Sequence, residues 1–254
     1  PLAESIDGRS LCEHPHMPDA RHVVLVHGAW HGDWCWAPLQ AELDRRGIPS
    51  HAIDLPGHGA SVRPLGGLHH DAGHVTDTLD HLGLDDVVLV GHSYGGAVIT
   101  EAGVGRPDLA HLVYIAAFAL DAGESVNGAL RSFERQSVAL AAAVQMQDDG
   151  TTTLDLDLAA SALYGACSPQ AIKAALRRLS PQPIATMTES VEGSARDHIS
   201  SSYLRCLRDE AVHPDHQAVM AARCDEQIDI DTDHSPFLSA TDLVADHLER
   251  IACS

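Results

Sequence analysis

Short runs of consecutive apolar residues recur along this chain, separated by longer stretches whose apolar positions fall at helical spacing. A run that is apolar throughout suits a strand covered on both faces, whereas apolar residues three or four apart mark one face of a helix. The first run, over 22–28, holds Val23-Val24-Leu25-Val26; a helical pattern over 36–46 follows and stops at Gly47. The next strand is expected over 51–55, ended by Pro56-Gly57-His58-Gly59, and the next helix over 70–82, stopped by Gly83. A strand over 87–90, a helix over 94–105 and a strand over 112–117 continue the alternation. It pauses after Phe118: residues 121–195 show helical pieces at 132–147 and 169–179 but no strand suited to a sheet. Strands resume at 201–206 and 227–230, and a last helix is expected over 241–251.

Strands alternating with helices predict an α/β fold, with a mostly parallel central sheet and helices on both faces. The pause predicts a small helical cap at 121–195, inserted between core segments 21–120 and 196–254. Residues 1–20 lack periodicity and read as an extended N-terminal arm. At 254 residues, one sizeable domain or a core plus a small insert is the natural size.

Charge narrows the range of partners. Lys and Arg total 16 against 36 Asp and Glu, a formal charge of −20. Such a surface repels nucleic acid and anionic membranes, so neither is expected as a partner. The longest apolar stretch, 112–120, is too short to span a bilayer. No charged-then-apolar leader opens the chain, and a cytoplasmic location is the expectation. The 6 cysteines contain no Cys-x-x-Cys pair and read as free, mostly buried thiols. Among the 18 histidines, His69, His70 and His74 invite a metal reading. They lack an acidic or cysteine partner at motif spacing, so a solvated helix face is expected and no metal is assigned.

Chemistry enters at Gly91-His92-Ser93-Tyr94-Gly95. By itself this pattern also fits a glycine-rich loop with an incidental serine. Here an apolar strand precedes it and Ala97-Val98-Ile99 follows, the strand–turn–helix context in which a serine hydroxyl is lifted clear of a sheet. A serine nucleophile needs a base, and the base an orienting acid, and open parallel sheets gather such groups beyond the carboxyl ends of their strands. His234, soon after the 227–230 strand, is the expected base. Asp209, soon after the 201–206 strand, is the expected acid, with Asp121 as its rival. Asp197 precedes that strand, Asp215 falls in the next helix, and Asp225, Asp229, Asp231 and Asp233 lie too close to His234 or within its strand. The amides of Tyr94 and Ala29 are the expected oxyanion donors. His92 and His27, although nearer these motifs, are assigned other work.

These segments together resemble the α/β-hydrolases, most closely the branch of plant methyl-ester esterases, hydroxynitrile lyases and bacterial esterases. The resemblance rests on Val24 to Trp36, on Ala52 to Gly59, on the Ser93 elbow, on Arg208-Asp209-Glu210 and on Asp233-His234-Ser235-Pro236-Phe237. Two positions depart from the lyases, which carry a lysine where this chain has Ser235 and a threonine where it has Gly28. Cyanohydrin cleavage is therefore not expected. The family also places its cap after the strand that ends near Phe118.

The resulting expectation is a cofactor-independent carboxylesterase-type serine hydrolase acting through an acyl-enzyme. Its substrate is a small or medium apolar ester, aromatic ones included. Trp30, Phe118, Leu120, Leu130, Phe133, Leu163, Tyr164 and Met187 are expected to line the pocket. A lactonase, thioesterase or acyltransferase with the same triad, or a ligand-sensing relative, stays open at this stage, as does a homodimer.

Overall fold

The computed structural model describes residues 20–254. The N-terminal arm expected over 1–20, apart from Ala20, lies outside the described residues. The chain first runs through β1 (Val23–Val26), α1 (Ala37–Arg45), β2 (Ser50–Ile53), α2 (Leu68–Leu82), β3 (Val87–His92), α3 (Tyr94–Ala102) and β4 (Leu109–Ile115). Then come α4 (Val126–Ser132), α5 (Leu140–Ala143), β5 (Val144–Met146), β6 (Thr151–Leu154), α6 (Leu156–Tyr164), α7 (Pro169–Leu176), β7 (Gln182–Pro183) and α8 (Ala185–Thr188). It closes with β8 (Ser201–Cys206), α9 (Pro214–Ala221), β9 (Glu226–Ile230), α10 (Pro236–Ser239) and α11 (Thr241–Ala252).

Six strands form one sheet in the order β2-β1-β3-β4-β8-β9, and every neighbouring pair is parallel. The continuous apolar runs take its interior: all residues of β1 and β3 are buried. Covering them are α1 packed against α11 and α2 packed against α3. This is the expected α/β fold with a parallel sheet. The chain leaves β1 toward β2 on one side and returns to β3 on the other, so the strand order reverses between β1 and β3. In open α/β sheets the crevice beyond the carboxyl ends at such a switch is where ligands bind. The Gly28–Gly32 loop and Ser93 both emerge there.

The segment between β4 and β8 is not purely helical. Its strands β5, β6 and β7 form a separate antiparallel sheet. The helix expected over 132–147 forms only as the single turn α5: α4 ends at Ser132 and Phe133 turns to extended backbone. The apolar residues Val138, Leu140, Ala141, Val144 and Met146, which suggested a helix, instead line a cavity over the main sheet. Residues 144–154 are a hairpin. Gly150 takes φ 80° at its turn, and the Asp149 carboxylate accepts bonds from both the N–H and the hydroxyl of Thr151. Asp149-Gly150 followed by three threonines is itself a hairpin signal, and the stronger helical pattern on its N-terminal side masked it.

Candidate active site

Ser93 sits between β3 and α3 with φ 52° and ψ −121°, a backbone conformation that costs a non-glycine residue about 1–3 kcal/mol. Its neighbours over-determine that turn. The Ser93 N–H donates to the Ile115 carbonyl at 3.1 Å, and its carbonyl accepts from the amides of Phe118 and Gly96, each at 3.0 Å. Close approach explains the flanking glycines: a β-carbon on Gly91 would stand 2.5 Å from the Gly95 carbonyl oxygen, and one on Gly95 2.6 Å from that of Val26. A β-carbon on Gly28 would meet His92 Nδ1 and the Ser93 β-carbon at 2.9 Å. The threonine of the lyase branch therefore does not fit this backbone without movement.

His234 and Asp209 are brought together by the loops after β9 and β8. The His234 Nδ1–H donates to Asp209 Oδ2 at 2.7 Å, and both side chains are buried. The carboxylate is otherwise held by the amides of Ala211 and Val212 on Oδ1, at 2.7 and 2.9 Å, and by Gln217 Nε2 on Oδ2 at 2.8 Å. These bonds leave Asp209 one orientation. They also set the His234 tautomer, with Nδ1 protonated and Nε2 left as the acceptor. His92, the variable residue of the elbow, turns away from the serine and donates from Nε2 to the His234 carbonyl at 2.8 Å. The elbow thus anchors the backbone of the histidine loop.

Asp121 lies elsewhere. It is exposed and ion-paired with Arg196 and Arg223. Asp229 and Asp231 likewise pair with Arg205 and Arg208, and Asp225 caps Ser201.

Ala29 and Tyr94 border the same cavity as Ser93. Among the described residues the backbone N–H of neither donates to a protein acceptor. Neutral histidines hold the Ala29 loop. His31 donates from Nδ1 to the Ala29 carbonyl at 2.7 Å and accepts from the Tyr164 hydroxyl at 2.7 Å. Burial brings its pKa down to about 4. His27 donates to the Gly28 carbonyl at 2.8 Å and accepts from the Leu55 amide at 3.1 Å, and burial pushes its pKa well below the usual value.

The cavity measures about 430 Å³ and is mainly apolar. Of the expected liners, Trp30, Phe118, Leu130 and Met187 face it. Phe133 faces an adjoining hollow, together with Arg131, His213 and His216. Leu120, Leu163 and Tyr164 are buried away from the cavity. The Leu120 carbonyl accepts from Arg196, and the two α6 residues belong to the helix packed on α5. Missed liners include Ala211 and Val212, which the Asp209 carboxylate draws to the cavity wall. His69 and His74, set aside as metal ligands, bond instead to Glu101 and to the Asp54 carbonyl.

Behind the elbow, the Tyr94 hydroxyl donates to Asp71 Oδ2 at 2.7 Å, while Asp71 Oδ1 is buried without a partner. Burial, only partly offset by this bond, pushes the Asp71 carboxyl up from 3.8 to about 7. The fold therefore binds a proton that the unfolded chain has released, and stability from this site declines as pH rises from about 4 through about 7. Asp71→Asn should remove the decline. Between pH 5 and pH 8 the wild type should lose about 2–3 kcal/mol more stability than the variant in denaturant titrations. Equal losses in the two proteins would refute a buried, protonated Asp71.

Residues 23–247 match the alpha/beta hydrolase family, and the chain belongs to it. It is 36% identical over 245 residues to the alpha/beta hydrolase nvfD of Aspergillus novofumigatus, covering 91% of this chain and 96% of that protein. It is 27% identical over 261 residues to Methylesterase 2 of Arabidopsis thaliana, covering 91% and 96% of the two. A pyrethroid hydrolase structure from Sphingobium faniae JZ-2 superposes with a TM-score of 0.80 at 21% identity, over 91% of this chain and 97% of that one, and so shares the fold. No helix among the described residues is long and apolar enough to cross a membrane.

Proposed function

We propose that this protein is a cofactor-independent serine carboxylesterase. One observation carries the reading: a buried Asp209–His234 pair beside the strained Ser93 elbow, at the edge of an apolar cavity bordered by two free amides. Its named relatives, esterases and methylesterases, support the same chemistry.

In this mechanism His234 Nε2 takes the Ser93 proton as Oγ attacks the ester carbonyl. Asp209 stabilises the imidazolium, and the Ala29 and Tyr94 amides bind the oxyanion. His234 then protonates the departing alcohol. Water, deprotonated by the same imidazole, releases the acid and restores Ser93.

Residues 121–195 act as a cap, because liners such as Leu130, Val144 and Met187 come from that segment. A cavity of this size and apolar character takes a small or medium ester, aromatic groups included. The free thiols, with Cys35 and Cys206 buried, suit a reducing compartment such as the cytoplasm.

With p-nitrophenyl acetate, a burst of p-nitrophenolate equal to the enzyme concentration should precede the steady rate. Tight binding of esters without turnover would instead make the protein a ligand sensor. Comparing esters, lactones and thioesters then ranks the acyl donors.

A further inference from the structure

We infer that Gln182 is a positioning residue for the oxyanion hole, through which the β5–β7 sheet holds the Ala29 amide in its working orientation. This rests on the esterase reading above. Trp30, which follows Ala29, has φ 62°, in the left-handed region that a bulky side chain rarely adopts. Such a backbone persists only where its surroundings impose it.

Here they impose it through one buried glutamine. Gln182 Oε1 accepts from the Trp30 N–H at 3.0 Å and lies 2.9 Å from His58 Nε2. Its Nε2 donates to the Thr186 hydroxyl at 3.1 Å, which fixes which end of the amide faces Trp30. Its backbone carbonyl accepts from the Thr152 hydroxyl at 3.1 Å, and that hydroxyl in turn accepts from the Trp30 indole at 3.1 Å. Ser180, two residues earlier, donates its N–H to the Trp30 carbonyl at 2.9 Å.

The geometry reaches the oxyanion site directly. The peptide joining Ala29 to Trp30 is a rigid plane, held at its oxygen by His31 and at its nitrogen by Gln182. The Ala29 N–H belongs to the preceding peptide, which His27 holds at the Gly28 oxygen. With the planes on both sides of Ala29 held, its φ and ψ are confined and with them the aim of that N–H, whose value to a transition state depends on direction. Gln182 also ties together the loops after β1 and β2, since His58 follows β2. Both ends of its side-chain amide are bonded and it is 1% exposed, so it is held from two sides. Loss of the glutamine frees the Trp30 peptide to rotate out of its left-handed conformation, and among the described residues no other side chain holds that nitrogen.

The test compares wild type with Gln182→Met, which preserves volume and removes the acceptor, and Gln182→Glu, which restores an acceptor oxygen. Acylation and deacylation rates on p-nitrophenyl acetate are divided by the burst amplitude, so that only sites with an active Ser93 are counted. A merely structural role lowers the number of active sites and leaves each one at full rate. Positioning lowers the rate per site by roughly 10- to 100-fold with KM within about threefold, and Gln182→Glu recovers most of it. Thr152→Val, which cuts the second tie to Trp30, should cost roughly 3- to 10-fold per site and serves if Gln182→Met does not fold. Full per-site rates in Gln182→Met, or in Thr152→Val where it stands in, overturn this inference alone. A wild type without turnover overturns the esterase reading and this inference with it.

Discussion

Ser93→Ala should fold normally and show no burst, with kcat lower by about a million-fold. The expectation of normal folding follows from the turn. Its strained backbone is held by the Ile115, Phe118 and Gly96 main chain, none of which uses the hydroxyl. A methyl group at that position keeps the elbow, the helix and the cavity. What vanishes is the covalent intermediate, so the p-nitrophenolate burst and labelling by a fluorophosphonate should disappear together. The residual rate is that of an oxyanion hole and a pocket acting on water. A Ser93→Ala protein that still bursts would place the nucleophile on another residue.

Asp209→Asn should cost about 10,000-fold in kcat, whereas Asp121→Asn should leave it within about threefold. The asymmetry follows from hydrogen-bond direction. The Ala211 and Val212 amides hold one carboxylate oxygen, so an asparagine keeps its carbonyl toward them and turns its NH₂ toward His234 and Gln217. That NH₂ can only donate. His234 must then accept at Nδ1 and carry its proton on Nε2, the tautomer unable to take a proton from Ser93. Gln217 Nε2 is left facing a second donor, so some loss of stability should accompany the loss of rate. Asp121 is itself exposed, and its ion pairs with Arg196 and Arg223 involve neither Ser93 nor His234. Steady-state rates on one ester, with thermal melts in parallel, check both variants. Full activity in Asp209→Asn with none in Asp121→Asn would reverse the assignment.

Particular stretches show why some of this was readable beforehand. Val23 to Val26 and Val87 to Val90 are apolar without interruption, and only a strand covered on both faces buries every residue of such a run. β1 and β3 were legible for that reason, and the elbow because a strand runs straight into Gly-x-Ser-x-Gly. Asp209 and His234 could be proposed as partners because parallel strands all end at one edge, where the loops after β8 and β9 meet and His234 reaches the elbow through His92. Residues 132–147 misled because their apolar positions face a cavity, and a cavity wall imposes no helical period. The same cause hid most of the pocket and turned the expected helical insert into helices around a small sheet.

Local order along the chain therefore determined the sheet, its flanking helices and the choice of Ser93, Asp209 and His234 as candidates, since backbone periodicity and strand-end position are properties of neighbouring residues. Tertiary structure alone decided the left-handed Trp30 held by Gln182, the buried Asp71 behind Tyr94, and the neutral histidines bracing the loops. In each of these, a polar group's behaviour is set by what lies within about 3 Å of it in a dry interior. Trp30 and Gln182 stand 152 residues apart, and no pattern along the sequence joins them.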